Sequence, residues 1–383
     1  MNFTSIFSKH ANGDKTIWIV VFFLSICSML AVYSSTGTLA YKEQQGNTFY
    51  YLLRHSSILL FGIALMYVSH KVKYVYFSRI SQIALYVTIP LLAITLFSGT
   101  NLNEARRWLT LPGTSLTFQT SDFAKIALIM YVARILSINQ DNINDFKSVF
   151  WQLTIPVLLV CGLIFPANFS TAAVLFTTCM FVMFIGRLSM NFLARIIGVA
   201  MLCGTLLIGV GMITGVMRVE TWKNRIEDFA DNKETSYQVE QAQIAVATGG
   251  LMGKGPGNSS QRNFLPHPYS DFIYAIIIEE YGLVGGIVVI ILYLLLLGRA
   301  IRVVTRTDRT FGGLLAVGCA FSLVFQAFIN MAVAVDLLPV TGQTLPLVSM
   351  GGTSLWFTSI AIGVILSTSR GIHAEKGEQH AAA

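Results

Sequence analysis

The chain is short of charge. Asp, Glu, Lys and Arg make up 12% of its 383 residues against 54% hydrophobic, whereas soluble proteins average about 25% charged and about 45–50% apolar. That balance excludes a soluble enzyme. A basic arm and a mixed basic and aromatic patch are also missing. The net charge of +7 is scattered between apolar segments, so it reads as membrane topology, and no nucleic-acid partner is expected. Cysteine is scarce and badly placed for chemistry. Cys27, Cys161, Cys179, Cys203 and Cys319 all sit inside apolar runs, which excludes a disulfide framework and a cysteine metal site. Neither an internal repeat nor an inverted pair of broken helices is visible, which weighs against a secondary transporter. The first apolar run follows Lys9, His10 and Lys15 without a small-residue cleavage site, so it reads as a spanning helix and not as a signal peptide.

What is there is a succession of apolar windows of about 20 residues, near 16–35, 50–69, 78–98, 121–138, 150–166, 170–186, 192–216, 272–298, 311–337 and 351–369. They predict an all-α polytopic membrane protein of about ten transmembrane helices, with a long outer loop, 217–270, between helices 7 and 8. One membrane domain covers 1–372 and a cytoplasmic tail 373–383, of which Ala381 to Ala383 reads as an appended scar. The dense basic loop 299–309 places both termini in the cytoplasm.

The long loop concentrates the unusual features. In RVETWKNRIEDF, Val219, Trp222, Ile226 and Phe229 recur at spacings of three and four, which predicts an amphipathic helix on the membrane surface. TGGLMGKGPGNS (248–259) is rich in glycine but fails the P-loop pattern, since Gly255 follows Lys254 where Ser or Thr is required. It reads as a turn, or as free N–H groups beside Lys254 able to hold a pyrophosphate. In LPHPYSDFIYAIIIEEYG (265–282), Ser270 is expected to cap a helix and Asp271 to lie in its first turn. Eight residues on, about 12 Å along the axis, Glu279 and Glu280 enter the apolar span. Intramembrane carboxylates are costly and mark function, and the helical angle favours Glu279 as the one facing inward.

Further charges recur at the same outer depth: Arg54, Arg106 and Arg107 in NEARRW, and Asp122 with Lys125 in QTSDFAK. Asp122 and Lys125 share one helix face and are expected to pair with each other or across to Asp271. Arg54 taken singly reads as a snorkelling interface residue. The last outer segment, PVTGQTLPLVSMGGTS (339–354), is irregular backbone at membrane depth, which belongs where it lines a cavity.

Taken together, ARRW (105–108), QTSDFAK, the GGLMGKG run from Gly249, YSDFIYA (269–275) with its trailing EEYG, and LPVTGQTLPLVSMGGTS, which contains Ser349, resemble the SEDS family of bacterial cell-wall polymerases, FtsW, RodA and their sporulation relatives. The resemblance covers nearly the whole chain. It implies a ten-helix fold and a glycosyltransferase that polymerises lipid II on the outer face of the bacterial cytoplasmic membrane. It also implies a divalent cation, magnesium or manganese, a class B penicillin-binding transpeptidase as partner, and other divisome membrane proteins. Asp271 is the catalytic residue on the family pattern. Arg54, Arg106, Arg107, Lys125 and Lys254 are candidates for binding substrate, and Asp122, Glu279, Asn168 and Ser349 for support. The chain departs from the pattern at Asn168, where the family carries a carboxylate, and at Asp122, Tyr269, Gln343 and Met350. Gln343 and Met350 favour the FtsW branch, hence septal synthesis, over a RodA-type role in elongation. A lipid II transporter is the reading from another class, but the charges gather outside and not near the midplane.

Overall fold

The computed structural model describes residues 13–43, 45–102, 105–110, 117–143, 146–214, 219–231, 237–306 and 310–382. In chain order these form α1 (Lys15–Ser35), α2 (Gly37–Glu43), α3 (Thr48–Lys71), α4 (Tyr74–Ser98), β1 (Thr100–Leu102), β2 (Ala105–Thr110), β3 (Thr117–Gln119), α5 (Thr120–Ile138), α6 (Phe146–Ile164), α7 (Phe169–Ile185), α8 (Met190–Thr214), α9 (Val219–Asp231), α10 (Tyr237–Gly249), α11 (Ile273–Arg306), α12 (Thr310–Ala334) and α13 (Thr353–Ala382). Every apolar window of the sequence carries a helix. Six (α1, α3, α4, α8, α11 and α12) are long and apolar enough to cross a membrane, and α6 and α7 add two shorter apolar helices. α5, 19 residues long, carries three charged residues, Asp122, Lys125 and Arg134. Large apolar side chains such as Phe22, Phe61, Ile83, Met201 and Leu206 are exposed, the signature of a surface solvated by lipid and not by water. The chain is a multi-pass membrane protein.

The chain divides into two compact units, each assembled from three stretches. The first takes Met1–Val68, Lys223–Arg299 and Leu323–Leu366. Here α1 begins at Asp14, whose Oδ1 accepts from the Thr16 N–H at 2.9 Å and whose Oδ2 accepts from Arg299 Nε at 2.6 Å. One carboxylate thus satisfies an orphan helix N–H and anchors the far end of this unit's α11 segment. Gly62 lets α3 approach α13 closely, because a Cβ there would stand 2.7 Å from Leu355. Trp356 donates to the Ile58 carbonyl at 3.2 Å across the same contact.

The second unit takes Ser69–Trp222, Ala300–Ser322 and Ser367–Ala383. Its core is α5, buried from Ala124 to Leu136 on nearly every side and packed on α4, α6 and α7. Arg134 reaches from α5 to the Ser78 carbonyl and hydroxyl of α4 at 2.9 and 2.7 Å, tying the two helices together. Phe181 and Phe321 stack with ring centroids 3.7 Å apart. Between α4 and α5 the chain folds into a three-stranded antiparallel sheet in the order β1-β2-β3, with Trp108 opposite Gln119 and Leu109 opposite Phe118. The sequence reading did not anticipate this sheet: its strands are three to six residues long, too short for alternation to stand out.

The long connection between α8 and α11 is not a simple loop, since it holds both α9 and α10. The amphipathic helix expected in RVETWKNRIEDF forms as α9. Its Trp222 ring packs against Phe165 and Phe169, with centroids 5.3 and 5.4 Å away, whereas Phe229 is exposed. The side chains of Val219 and Ile226 lie outside the described residues.

Candidate active site

In the first unit, Asp271 stands outside the helix expected to contain it. α11 begins at Ile273, and its first turn is closed by the Phe272 carbonyl, which accepts from the Ala275 N–H at 3.0 Å. Residues 269–272 form a turn, and Ser270 does not cap: its hydroxyl donates to Asp271 Oδ1 at 2.8 Å. The expectation of a first-turn carboxylate is therefore corrected. Tertiary hydrogen bonds to the carbonyls of residues 269–271 hold this turn in place.

Those bonds come from the irregular segment before α13 and from α12. Ser349 Oγ donates to the Ser270 carbonyl at 2.7 Å and accepts from the Leu345 N–H at 2.8 Å. The Met350 N–H donates to the Tyr269 carbonyl at 2.9 Å. Asn330 Nδ2 donates to the carbonyls of Asp271 and Gln343, at 2.8 and 2.7 Å. One turn earlier on α12, Gln326 donates to the Thr344 carbonyl at 2.9 Å. A Cβ at Gly342 would stand 3.6 Å from Asp271 Oδ2, so glycine keeps that side of the carboxylate open. The sequence reading passed over Gln326 and Asn330. Their signal was present: two amides four positions apart in an apolar span, on one helix face.

The glycine-rich segment proves to be structural backbone and not a free phosphate cradle. Gly282 interrupts α11 with φ 69° and ψ −173°, leaving carbonyls unpaired before it and N–H groups after it. Residues 250–255 supply both sets of partners. Lys254 and Gly255 N–H donate to the Glu279 and Glu280 carbonyls, each at 2.9 Å, while Leu283 and Val284 N–H donate to the Gly250 and Leu251 carbonyls at 2.9 and 3.3 Å. Backbone pairs with backbone so closely that a Cβ at Gly249, Gly253 or Gly282 would run into a main-chain carbonyl. The N–H groups of Lys254 and Gly255, read as open to pyrophosphate, are thereby occupied.

Glu279 and Glu280 are both buried, at 0% and 1% exposure, so the angular argument for Glu279 alone is corrected: neighbours cover both faces of this short half-helix. Glu279 Oε1 accepts from Lys254 Nζ at 2.6 Å, from Ser260 N at 3.1 Å and from Ser260 Oγ at 2.8 Å. Its Oε2 accepts from Ser259 Oγ and from Gln261 N at 3.3 Å. Glu280 Oε1 accepts from Ser34 Oγ and from Ser259 N at 3.3 Å. Arg54 is exposed on α3.

In the second unit, Asp122 and Lys125 pair with each other at 2.8 Å on the first turns of α5, the first of the two pairings their spacing allowed, with Asp122 buried. Arg107, on β2, donates from Nε to the Ala167 carbonyl at 2.9 Å and lines a small recess with Thr120, Ser121 and Asn168. Asn168 caps α7, its Oδ1 accepting from the Thr171 N–H at 3.2 Å. Asparagine and aspartate serve that role equally. The Arg106 side chain lies outside the described residues.

Among the described residues no three His, Cys, Asp or Glu side chains converge to hold a metal ion. An all-protein cage is therefore not formed by them, and a magnesium-like ion would take most of its ligands from substrate phosphates and water.

A family model described as cell cycle protein, covering FtsW, RodA and SpoVE, matches residues 14–373. Stage V sporulation protein E of Bacillus subtilis is 30% identical over 377 residues, spanning 95% of this chain and 98% of its own. The probable peptidoglycan glycosyltransferase FtsW of Coxiella burnetii is 32% identical over 358 residues, spanning 91% and 94%. Among solved structures, one described as showing coordination of polymerization and crosslinking by a peptidoglycan synthase complex superposes with a TM-score of 0.68 at 24% identity, covering 94% of this chain and 98% of the other. The rod shape determining protein RodA of Thermus thermophilus gives 0.67 at 23% identity, covering 94% and 97%. At those identities the structural likeness concerns the fold.

Proposed function

The chain belongs to the FtsW, RodA and SpoVE family, and from that premise we propose that it is a peptidoglycan glycosyltransferase that polymerises lipid II. The observation that carries this reading is the Asp271 turn: a carboxylate taken out of its helix and held at its backbone by Asn330, Ser349 and Met350. A capping residue requires no such scaffold, whereas a general base must be positioned to within hydrogen-bond reach of the proton it removes.

In the proposed reaction, the 4-hydroxyl of one lipid II sugar attacks the anomeric carbon of another chain end. The oxygen to carbon bond forms as the bond from the anomeric carbon to the lipid pyrophosphate breaks. Asp271 takes the hydroxyl proton, and the leaving pyrophosphate departs with the bonding pair. Ser270, whose hydroxyl donates to Oδ1, orients the carboxylate, and Gly342 beside Oδ2 adds no side chain to crowd it. Lys125, Arg54, Arg106 and Arg107 are proposed as ligands for pyrophosphate oxygens, since charge-assisted hydrogen bonds to phosphate are strong. A divalent cation, held chiefly by those same oxygens, would supply further charge stabilisation.

We further propose the FtsW-like placement: the active face outside the cytoplasmic membrane, both termini inside, septal localisation, and a class B penicillin-binding transpeptidase with other divisome proteins as partners. The relatives named FtsW and the basic segment at Arg299 to Arg309 support it. The test is polymerisation of purified lipid II by the purified chain, with and without the partner. Glycan strands should form, and Asp271→Asn, which preserves shape, should insert normally and make almost none. Full synthesis by correctly inserted Asp271→Asn would remove Asp271 from the chemistry.

A further inference from the structure

We infer that Lys254 and Glu279 form a positioning pair for the Asp271 turn, and that Lys254 serves Glu279 and not the substrate. The inference rests on the polymerase reading above. A carboxylate at 0% exposure is tolerated only when compensated, and Glu279 is compensated by donors drawn entirely from Lys254, Ser259, Ser260 and Gln261. The ammonium supplies the opposite charge at 2.6 Å and is itself partly covered. Its second contact, to Ser260 Oγ at 2.9 Å, returns to the same cluster.

The consequence travels along the chain. Gln261 is the last residue bound by Glu279, and the segment that follows runs through Pro266 and Pro268 directly into the turn at 269–272. The turn itself is fixed by Met350, Ser349 and Asn330, which bind the carbonyls of Tyr269, Ser270 and Asp271. Upstream of it, residues 259–261 are held by Glu279 and Glu280, and Arg262 donates to the Ser34 carbonyl at 3.2 Å. The chain that enters the Asp271 turn therefore leaves an upstream anchor built on a buried charge pair. Breaking that pair leaves a buried charge uncompensated and frees the upstream anchor. Neutralising both members leaves no buried charge: the amide oxygen of Glu279→Gln can still accept from Ser260, its amide nitrogen can donate to the Ser259 hydroxyl, and the apolar side chain of Lys254→Met needs no partner.

The experiment compares Lys254→Met, Glu279→Gln and the double variant in the full-length protein, reading kcat and KM for lipid II together with hydrogen exchange over 254–272. Lys254→Met is expected to lose about tenfold or more in kcat, with KM for lipid II held within about twofold because no substrate contact is removed. The double variant should be more active than Lys254→Met and should recover its exchange protection. A raised KM in Lys254→Met, with the double variant no better, would overturn the inference and return Lys254 to pyrophosphate binding. Should Lys254→Met give no folded protein, recovery of folded yield in the double variant reads the same coupling, and absence of recovery counts against it. The two readings fail separately. Wild-type protein that makes no glycan under any condition defeats the polymerase reading, while the exchange data still decide whether the pair anchors the turn.

Discussion

Ser349 Oγ donates to the Ser270 carbonyl at 2.7 Å, joining the segment before α13 to the residue that precedes Asp271. The same oxygen accepts from the Leu345 N–H at 2.8 Å, so one buried hydroxyl closes its own loop and braces a distant turn. Ser349 was singled out in the sequence only through the family resemblance; its position supplies the physical reason.

Removing that hydroxyl tests the brace. Ser349→Ala leaves the Ser270 carbonyl and the Leu345 N–H without this partner, at a cost of about 1–3 kcal/mol. A lower melting temperature in detergent, with reduced glycan synthesis, is the expected outcome. Unchanged melting and synthesis would show that the turn is held without it.

The broken helix makes a contrast between two glycines. Gly282→Ala combines φ 69° with a collision against the Leu251 carbonyl, and should abolish folded yield. Gly257 also has positive φ, 77°, but open space around its Cβ position. Gly257→Ala should therefore cost only the backbone term, about 1–2 kcal/mol. Size-exclusion profiles of the two proteins check both expectations.

Asn168 separates a cap from a charge. Asn168→Asp should keep the bond to the Thr171 N–H and leave stability and activity close to wild type. Asn168→Ala should lose about 1 kcal/mol by removing the cap, measured by thermal unfolding. Strong inactivation by Asn168→Asp would mean that a carboxylate at this site does more than cap.

Lys125 pairs with a buried partner, so its substitution has a structural component that must be measured beside binding. Lys125→Ala leaves Asp122 buried without this ion pair, at a cost of about 3–5 kcal/mol, and Asp122→Asn in the same protein should return most of it. If Lys125 also binds pyrophosphate, the rescued double variant will remain weak in lipid II binding. Binding equal to wild type in that protein would confine Lys125 to its ion pair.

The sequence by itself determined the membrane class, the helices and the chemistry available. Runs of apolar residues at span length leave the backbone no alternative to helix in lipid, and the three-residue spacing of Asp122 and Lys125 puts them on one helix face. Glu279 was legible as a costly carboxylate in an apolar span, Lys254 as a cation in a glycine-rich turn, and Asp271 as an acid at a helix start. Only the tertiary structure decided what each one meets. Glu279 takes a lysine 25 positions upstream, and the glycine-rich N–H groups close a helix broken at Gly282. Asp271 is kept out of α11 by bonds from residues 59 and 79 positions away. Local pattern favours continuing the helix through 271, capped by Ser270. Hydrogen bonds supplied from distant segments outweigh that preference, and no window of sequence contains both partners.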